Sequence, residues 1–410
     1  MNSLIKRGLM LLILLSSCAS RNTTTEITPD AWRDDLRYLA KELPGRHVNA
    51  FHSVSRESFA AEVTRLDAAI PHLNGDEVLV GFMRIAALIG DGHTHLDLPP
   101  TSLRYPMELK WFDDELRVIA AQAPYHAAVG ARILAIGSTP IQDVMDRAVQ
   151  LVPRGENDGR TRLTATMQLT SPEVLHGLNV IADRARAPFD LELATGERTT
   201  MEFSPARLGA FSTWRMAAGE KPPLYLQRLA EPWWVESLID TQTVYFSFTA
   251  YPVDAEFRER TAVLARLLDE SQARRLVIDL RRNQGGDLVR FRRLLLPIIK
   301  GRSEIRKGGL FVITGPGTFS AAVVNALDLR NDANAILVGA PTGMRPNHYG
   351  EHGEFRLPNS AFRISYSTRY YRFAADSDSA VVPDQHIEPT WAEFRAGRDP
   401  VMEWILSQKN

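Results

Sequence analysis

Residues 310–330 read LFVITGPGTFSAAVVNALDLR: an apolar run, a glycine-proline turn, a serine, and then apolar residues at helical spacing. Leu310 to Thr314 is short and rich in β-branched residues, the pattern of a strand buried on both faces, and Gly315-Pro316-Gly317 must end it. Thr318 reads as a helix N-cap, which puts Ser320 in the first helical turn. Unpaired backbone N–H groups and the positive end of the helix dipole favour negative charge there. An alkoxide or a tetrahedral oxyanion beside Ser320 would therefore be stabilised. The alternative is that Ser320 merely helps to cap an ordinary helix of an α/β sheet.

The chain has 410 residues, of which 44% are hydrophobic and 24% charged, which is ordinary globular composition with length for two or three domains. Disordered and fibrous classes are excluded. With 48 basic and 49 acidic residues, the formal net charge of −1 offers no broad field to nucleic acid. Residues 1–17 carry Lys6 and Arg7, then a short apolar stretch, then Leu15-Ser16-Ser17 ahead of the single cysteine, Cys18. This arrangement resembles a bacterial lipoprotein signal. Cleavage before Cys18 and lipidation of its thiol would leave residues 18–27 as a polar tether on a lipid anchor in the membrane. Ala19 suggests the outer membrane, with the body facing the periplasm. The alternative is a plain secretory signal with a chance cysteine.

From Thr28 the pattern is helical. One helix ends near Pro44, a second runs from Ser55 to Pro71, and a third from Asp76 to about Ile89, so that 28–98 reads as a helical domain. Strands at 105–120 and 129–137, a helix from Pro140 and a hairpin at 189–203 follow. Their order, and the run Gly130-Ala-Arg-Ile-Leu-Ala-Ile-Gly137-Ser-Thr-Pro140-Ile, resemble a PDZ domain over 103–205 with an insertion around 153–170. Over 206–400 strands alternate with helices, including one over 255–269 and one over 287–299, which implies parallel βαβ units. A hairpin formed by 354–357 and 362–366 closes the chain. The fold class expected is α/β in the broad sense of a multidomain α+β chain.

Three stretches point to one family: Leu276-Val-Ile-Asp279-Leu-Arg281-Arg-Asn283-Gln-Gly285-Gly286, Gly315-Pro-Gly-Thr318-Phe-Ser320-Ala321-Ala322, and Gly339-Ala-Pro341-Thr342-Gly343 with Pro383-Asp384. Together they resemble the tail-specific, or C-terminal processing, serine peptidases, over most of residues 80–390. The resemblance implies a ClpP/crotonase-type core related to that of the tricorn protease, and an acyl-enzyme at Ser320. It also implies oxyanion donors from Gly285 or Gly286 with Ala321, peptide or unfolded-protein substrates, and no cofactor or metal.

The base departs from the pattern. The lysine of the family's Ser–Lys members aligns with Arg345, and a guanidinium is not deprotonated in a protein. The tricorn-type branch uses a histidine from an Asp-Gly-His-like stretch, which is matched by His93 in Asp91-Gly92-His93-Thr94, with His95 as the near alternative. The same branch places an acidic partner before a late Pro-Asp, where this chain has Asp376 and Asp378. Two rivals stay open: a non-catalytic binder on the same fold, and a zinc peptidase using His348-Tyr-Gly-Glu351-His352, which matches H-x-x-E-H but lies among glycines and a proline.

Overall fold

The run 310–314 forms the strand Leu310–Thr314, buried along its length, in a computed structural model that describes residues 27–99, 102–208, 213–375 and 378–408. It belongs to a six-stranded sheet in the order Gln385–His386, Ile336–Gly339, Leu310–Thr314, Arg275–Asp279, Thr243–Phe248, Trp233–Leu238. Only the last strand is antiparallel to its neighbour. Alternate side chains serve two cores. Phe246, Ile278, Val312 and Leu337 pack with Phe257, Leu264, Val323 and Leu329 of the helices Asp254–Glu270 and Ala321–Ala333. Tyr245, Val277, Phe311 and Val338 pack with Val401, Met402 and Ile405 of the C-terminal helix Pro400–Ser407. With both faces covered, no strand position is left for a polar residue to face water, which explains the unbroken apolar runs.

A buried ionic knot anchors this sheet to the C-terminal helix. Arg281 donates to Asp279 at 3.1 Å and to both carboxylate oxygens of Asp399 at 3.3 and 2.9 Å, and the Tyr245 hydroxyl donates to Asp279 at 2.6 Å. Asp399 in turn caps the helix that begins at Pro400. The end of the strand Arg275–Asp279 is thereby held where the loop 281–286 departs.

The helix expected over 287–299 is interrupted. Leu288–Arg290 passes into a π-helical turn at Phe291–Leu295 before Leu296–Lys300. Pro297 has no N–H to donate and its ring crowds the carbonyl four residues back, so the ladder widens and Leu296 N–H reaches Phe291 O instead.

Three helices, Pro29–Arg46, Arg56–Ala69 and Gly75–Ala87, open the described chain. The first runs past Pro44 by one half-turn, where the lost bond costs little. The third starts before Asp76 because Asn74 and Glu77 form a reciprocal capping box. Their core is continuous with that of a sheet ordered Met107–Phe112, Glu115–Gln122, Arg132–Ile136, Ala187–Glu192, Arg198–Phe203, so that Leu36 and Phe82 share a cluster with Val118, Ile133 and Phe189.

A third sheet ties the two ends of the chain together. His95–Asp97 pairs antiparallel with Arg363–Tyr371, which pairs with His348–Arg356. The hairpin is longer than the sequence suggests, and it takes in the segment 348–353. No helix among the described residues is long and apolar enough to cross a membrane, and Cys18 lies outside them.

Candidate active site

Ser320 sits between two parallel strands' C-terminal loops, with φ 51° and ψ −127°. A non-glycine residue there stores about 1–3 kcal/mol of strain and persists only where its surroundings enforce it. They do: Phe319 N–H donates to Asn283 O at 3.0 Å, and Gly343 N–H to Thr318 O at 2.9 Å. Thr318 is not the cap. Its hydroxyl accepts from Gly315 N–H at 3.0 Å and donates to Leu280 O at 2.8 Å, which locks the turn rather than the helix. The cap position is Ser320 itself, ahead of the helix Ala321–Ala333, and its side chain caps nothing. The hydroxyl is free to face His93, whose Nε2 lies 3.0 Å from Ser320 Oγ.

His93 comes from 227 residues upstream. The strand that follows it, His95–Asp97, is stitched to Arg363–Tyr371, and the loop before it is held by Asp91. The buried carboxylate of Asp91 accepts from His93 N–H at 3.1 Å, from the Ser367 hydroxyl at 2.6 Å, and from His47 Nε2 at 2.9 Å. Asn49 N–H donates to His47 Nδ1 at 2.9 Å, so the proton of that ring sits on Nε2 and points at Asp91. Burial pushes the Asp91 carboxyl up, but these bonds outweigh it and hold it down to about 2. On the other side the ring of Phe319 packs at 4.8 Å from that of His93. Gly92 makes this possible, since a Cβ there would lie 2.7 Å from Phe319 Cζ.

Burial lowers the His93 pKa from 6.5 to about 4, against the pull of Asp91 and with the neighbouring His348 and His95 adding to the fall. The imidazole is therefore neutral near pH 7 and able to accept a proton. Between pH 6.5 and 4 an unfolded chain binds a proton that the folded ring refuses, so this group lowers stability as the pH falls through that window, while the folded ring keeps its base form down to about pH 4. The acid limb of kcat/KM is expected to have its midpoint near pH 4; a midpoint at 6.5, measured while circular dichroism shows the protein folded, would mean that the base is not this buried ring.

The glycine pair closes the site. Gly285 has φ 97°, and a Cβ on it would lie 2.5 Å from Ser320 Cβ and 3.0 Å from Ala321 N, so only glycine lets the loop approach. Its N–H is already spent on Asn283 Oδ1 at 2.8 Å. The N–H groups of Gly286 and Ala321 make no hydrogen bond among the described residues. Of the three oxyanion donors expected, Gly285 is therefore a spacer.

Other expected residues lie elsewhere. His95 pairs with Asp97 at 3.2 Å and not with Ser320. Asp378 is exposed and no hydrogen bond joins it to His93, while Asp376 lies outside the described residues. His93 Nδ1 is buried and has no well-formed partner among the described residues; the Tyr349 backbone is the weakest of the influences on the ring. Arg345 is consumed by the backbone of 155–156, donating to the carbonyls of Gly155 and Glu156. His348-Tyr-Gly-Glu351-His352 lies on a strand in unbroken register with its partner, Glu351 taking a φ of 55°, and not on a helix. Among the described residues no group of three or more His, Cys, Asp or Glu side chains is placed to hold a metal ion.

Sequence reading missed His47, Ser367 and Glu156. Glu156 is buried and accepts from Gly92 N–H at 3.0 Å and Arg345 N–H at 3.3 Å, bracing the loop that carries His93 from a third direction. None of the three has a local motif; each is defined by contacts across the fold.

Neither a family model nor a curated protein sequence matches the chain. Among solved structures it is similar to mature CPAF complexed with lactacystin, with a TM-score of 0.62 and 12% identity over 92% of this chain and 97% of that one. Mature CPAF alone gives a TM-score of 0.59 and 12% identity over 92% and 96%. This chain has the fold of CPAF. A photosystem II D1 C-terminal processing protease is also among the neighbours, with a TM-score of 0.40 and 13% identity over 91% of this chain and 98% of that one. These structural neighbours are of the tail-specific, C-terminal processing family whose motifs the sequence resembles. At such identity the backbone is shared and most side chains are not.

Proposed function

We propose that the protein is a serine peptidase that cleaves peptides or unfolded protein through an acyl-enzyme at Ser320, on a ClpP/crotonase-type core. The observation that carries this reading is the 3.0 Å approach of Nε2 of a neutral, half-buried His93 to the hydroxyl of a strained serine at a helix N-terminus. In this mechanism His93 takes the Ser320 proton as Oγ attacks the carbonyl carbon, and the tetrahedral oxyanion is received by Ala321 and Gly286 N–H with the helix dipole behind them. The imidazolium then returns its proton to the leaving amine, and water repeats the sequence on the ester. Asp91 keeps the base loop in place, and Arg345 takes no part in proton transfer. A fluorophosphonate probe should label the protein at one site, and Ser320→Ala should abolish that labelling; undiminished labelling of the variant would remove Ser320 as nucleophile.

The buried Nδ1 of His93, which has no carboxylate partner among the described residues and only the Tyr349 backbone acting on it, favours a second reading, a peptide-binding pseudo-peptidase on the same fold. Peptide binding without probe labelling or turnover would select it. For the sheet spanning 107–203 we propose PDZ-like capture of an extended peptide end. Since its core is shared with the first three helices, competition by a short uncleaved peptide is the test rather than deletion. It should slow cleavage of long substrates more than short ones, and equal slowing would count against capture. The lipoprotein signal supports an envelope location. Cys18→Ser should move the protein from the membrane fraction to the soluble one, and retention there would remove the anchor.

A further inference from the structure

We propose that Arg160 gives this site a preference for substrates that carry a carboxylate within one or two residues of the bond that is cut, an inference that rests on the peptidase reading. Arg160 stands in the first turn of the helix Asp158–Gln168, inside the segment that reads as an insertion. The helix is fixed to the active site by its cap. Asn157 Oδ1 accepts from Arg160 N–H at 3.0 Å, and Asn157 Nδ2 donates to Thr342 O at 2.9 Å and Ser379 O at 3.0 Å.

The guanidinium lies over the Phe319 ring at 4.1 Å, and that ring is the one packed against His93. One of its N–H groups donates to Gln284 Oε1 at 2.8 Å, a neutral acceptor next to Gly285. No carboxylate among the described residues is within ion-pair distance of it. The contrast with other arginines is plain: Arg281 holds Asp279 and Asp399, Arg292 holds Asp328, and Arg290 holds Asp254. The carboxylate that acts on Arg160 is Glu156, which is already engaged by Gly92 and Arg345 N–H. Burial pushes the guanidinium down to about 10, which still leaves it charged at neutral pH.

A cation with five donors, one neutral partner and a place beside the nucleophile's neighbour is incomplete until an anion arrives. The guanidinium and the His93 ring contact the same Phe319 ring, at 4.1 and 4.8 Å, so an acidic side chain one residue, roughly 4 Å of chain, from the reacting carbonyl would have only that ring to pass to reach the cation. Two sources share this chemistry: an Asp or Glu side chain, and the α-carboxylate of a substrate cut near its end.

The test uses the soluble protein and peptide pairs that differ only as Glu or Gln at each of the two positions on either side of the bond, and as free or amidated C-terminus. Turnover is read with the wild type, and binding to Ser320→Ala is read by fluorescence anisotropy at low and high salt. The acidic member of a pair should be favoured about tenfold or more, as expected for a hydrogen bond to a charged group. Arg160→Gln should erase the preference, and Arg160→Lys, checked as folded by thermal melting, should keep part of it. Salt should weaken it. A preference confined to the free terminus assigns the α-carboxylate, and one confined to Glu assigns the side chain. Equal handling of both members in turnover and in binding overturns the proposal. Arg160-dependent binding of the acidic member without turnover would sink the peptidase reading and leave the carboxylate site standing.

Discussion

Replacing His93 by alanine is expected to abolish turnover as completely as replacing Ser320, and the double replacement to be little worse than either. In the proposed mechanism the two groups act as one unit: Oγ is not nucleophilic until its proton is removed, and Nε2 at 3.0 Å is the group in place to remove it. In a serine peptidase, loss of the base or nucleophile costs on the order of ten thousandfold or more in kcat, with the residue of activity coming from oxyanion binding. Arg345→Ala should leave a measurable rate, because Arg345 braces 155–156 and transfers no proton. Near-normal turnover by His93→Ala would sink the mechanism, and loss in His95→Ala or His348→Ala instead would move the base within it. Single-turnover kinetics on a chromogenic ester separates acylation from later steps.

Asp91→Ala is expected to lower both stability and turnover. The carboxylate satisfies two buried donors, the Ser367 hydroxyl and His47 Nε2, each of which costs roughly 1–3 kcal/mol if left unpaired, and the half-buried His93 N–H. Turnover falls as well because the base loop loses its anchor, and a misplacement of about 1 Å can cost on the order of a hundredfold. Asp91→Asn is not a safe substitute. Its amide would turn an N–H toward a ring that already donates, and His47 cannot reverse its tautomer without facing Asn49 N–H with a second donor. Asp91→Asn should therefore melt below wild type, and His47→Ala should show a smaller loss of the same kind. Thermal unfolding and kcat measured together decide it: an Asp91→Ala protein unchanged in both would show that the network is ornamental.

Much of the core was legible because burial on both faces of a parallel sheet leaves its mark in consecutive residues. Leu310–Thr314 and Arg275–Asp279 are such runs, and Ser320 follows one of them across a glycine-proline turn. Helical structure does span the segment expected over 287–299, but the π-turn that Pro297 brings into it is not legible in the spacing of apolar residues. The cap was misjudged because Thr318 and Ser320 carry the same local signal, and what separates them is the bond from Thr318 to Leu280, the residue that follows the strand Arg275–Asp279. Likewise Gly285 and Gly286 are alike in sequence, and the Asn283 side chain decides which N–H remains free.

The sequence by itself determined the alternation of strands and helices, the serine at the head of a helix, and the exclusion of Arg345 as a base, since all three follow from local periodicity or from the chemistry of one side chain. Tertiary structure alone decided that His93 rather than His95 meets Ser320, and that His47, 44 residues before Asp91, steadies the loop between them. The physical reason is distance along the chain. The pairing of His95–Asp97 with Arg363–Tyr371 sets the height and direction of His93, and a contact of that kind leaves no periodic trace in either segment.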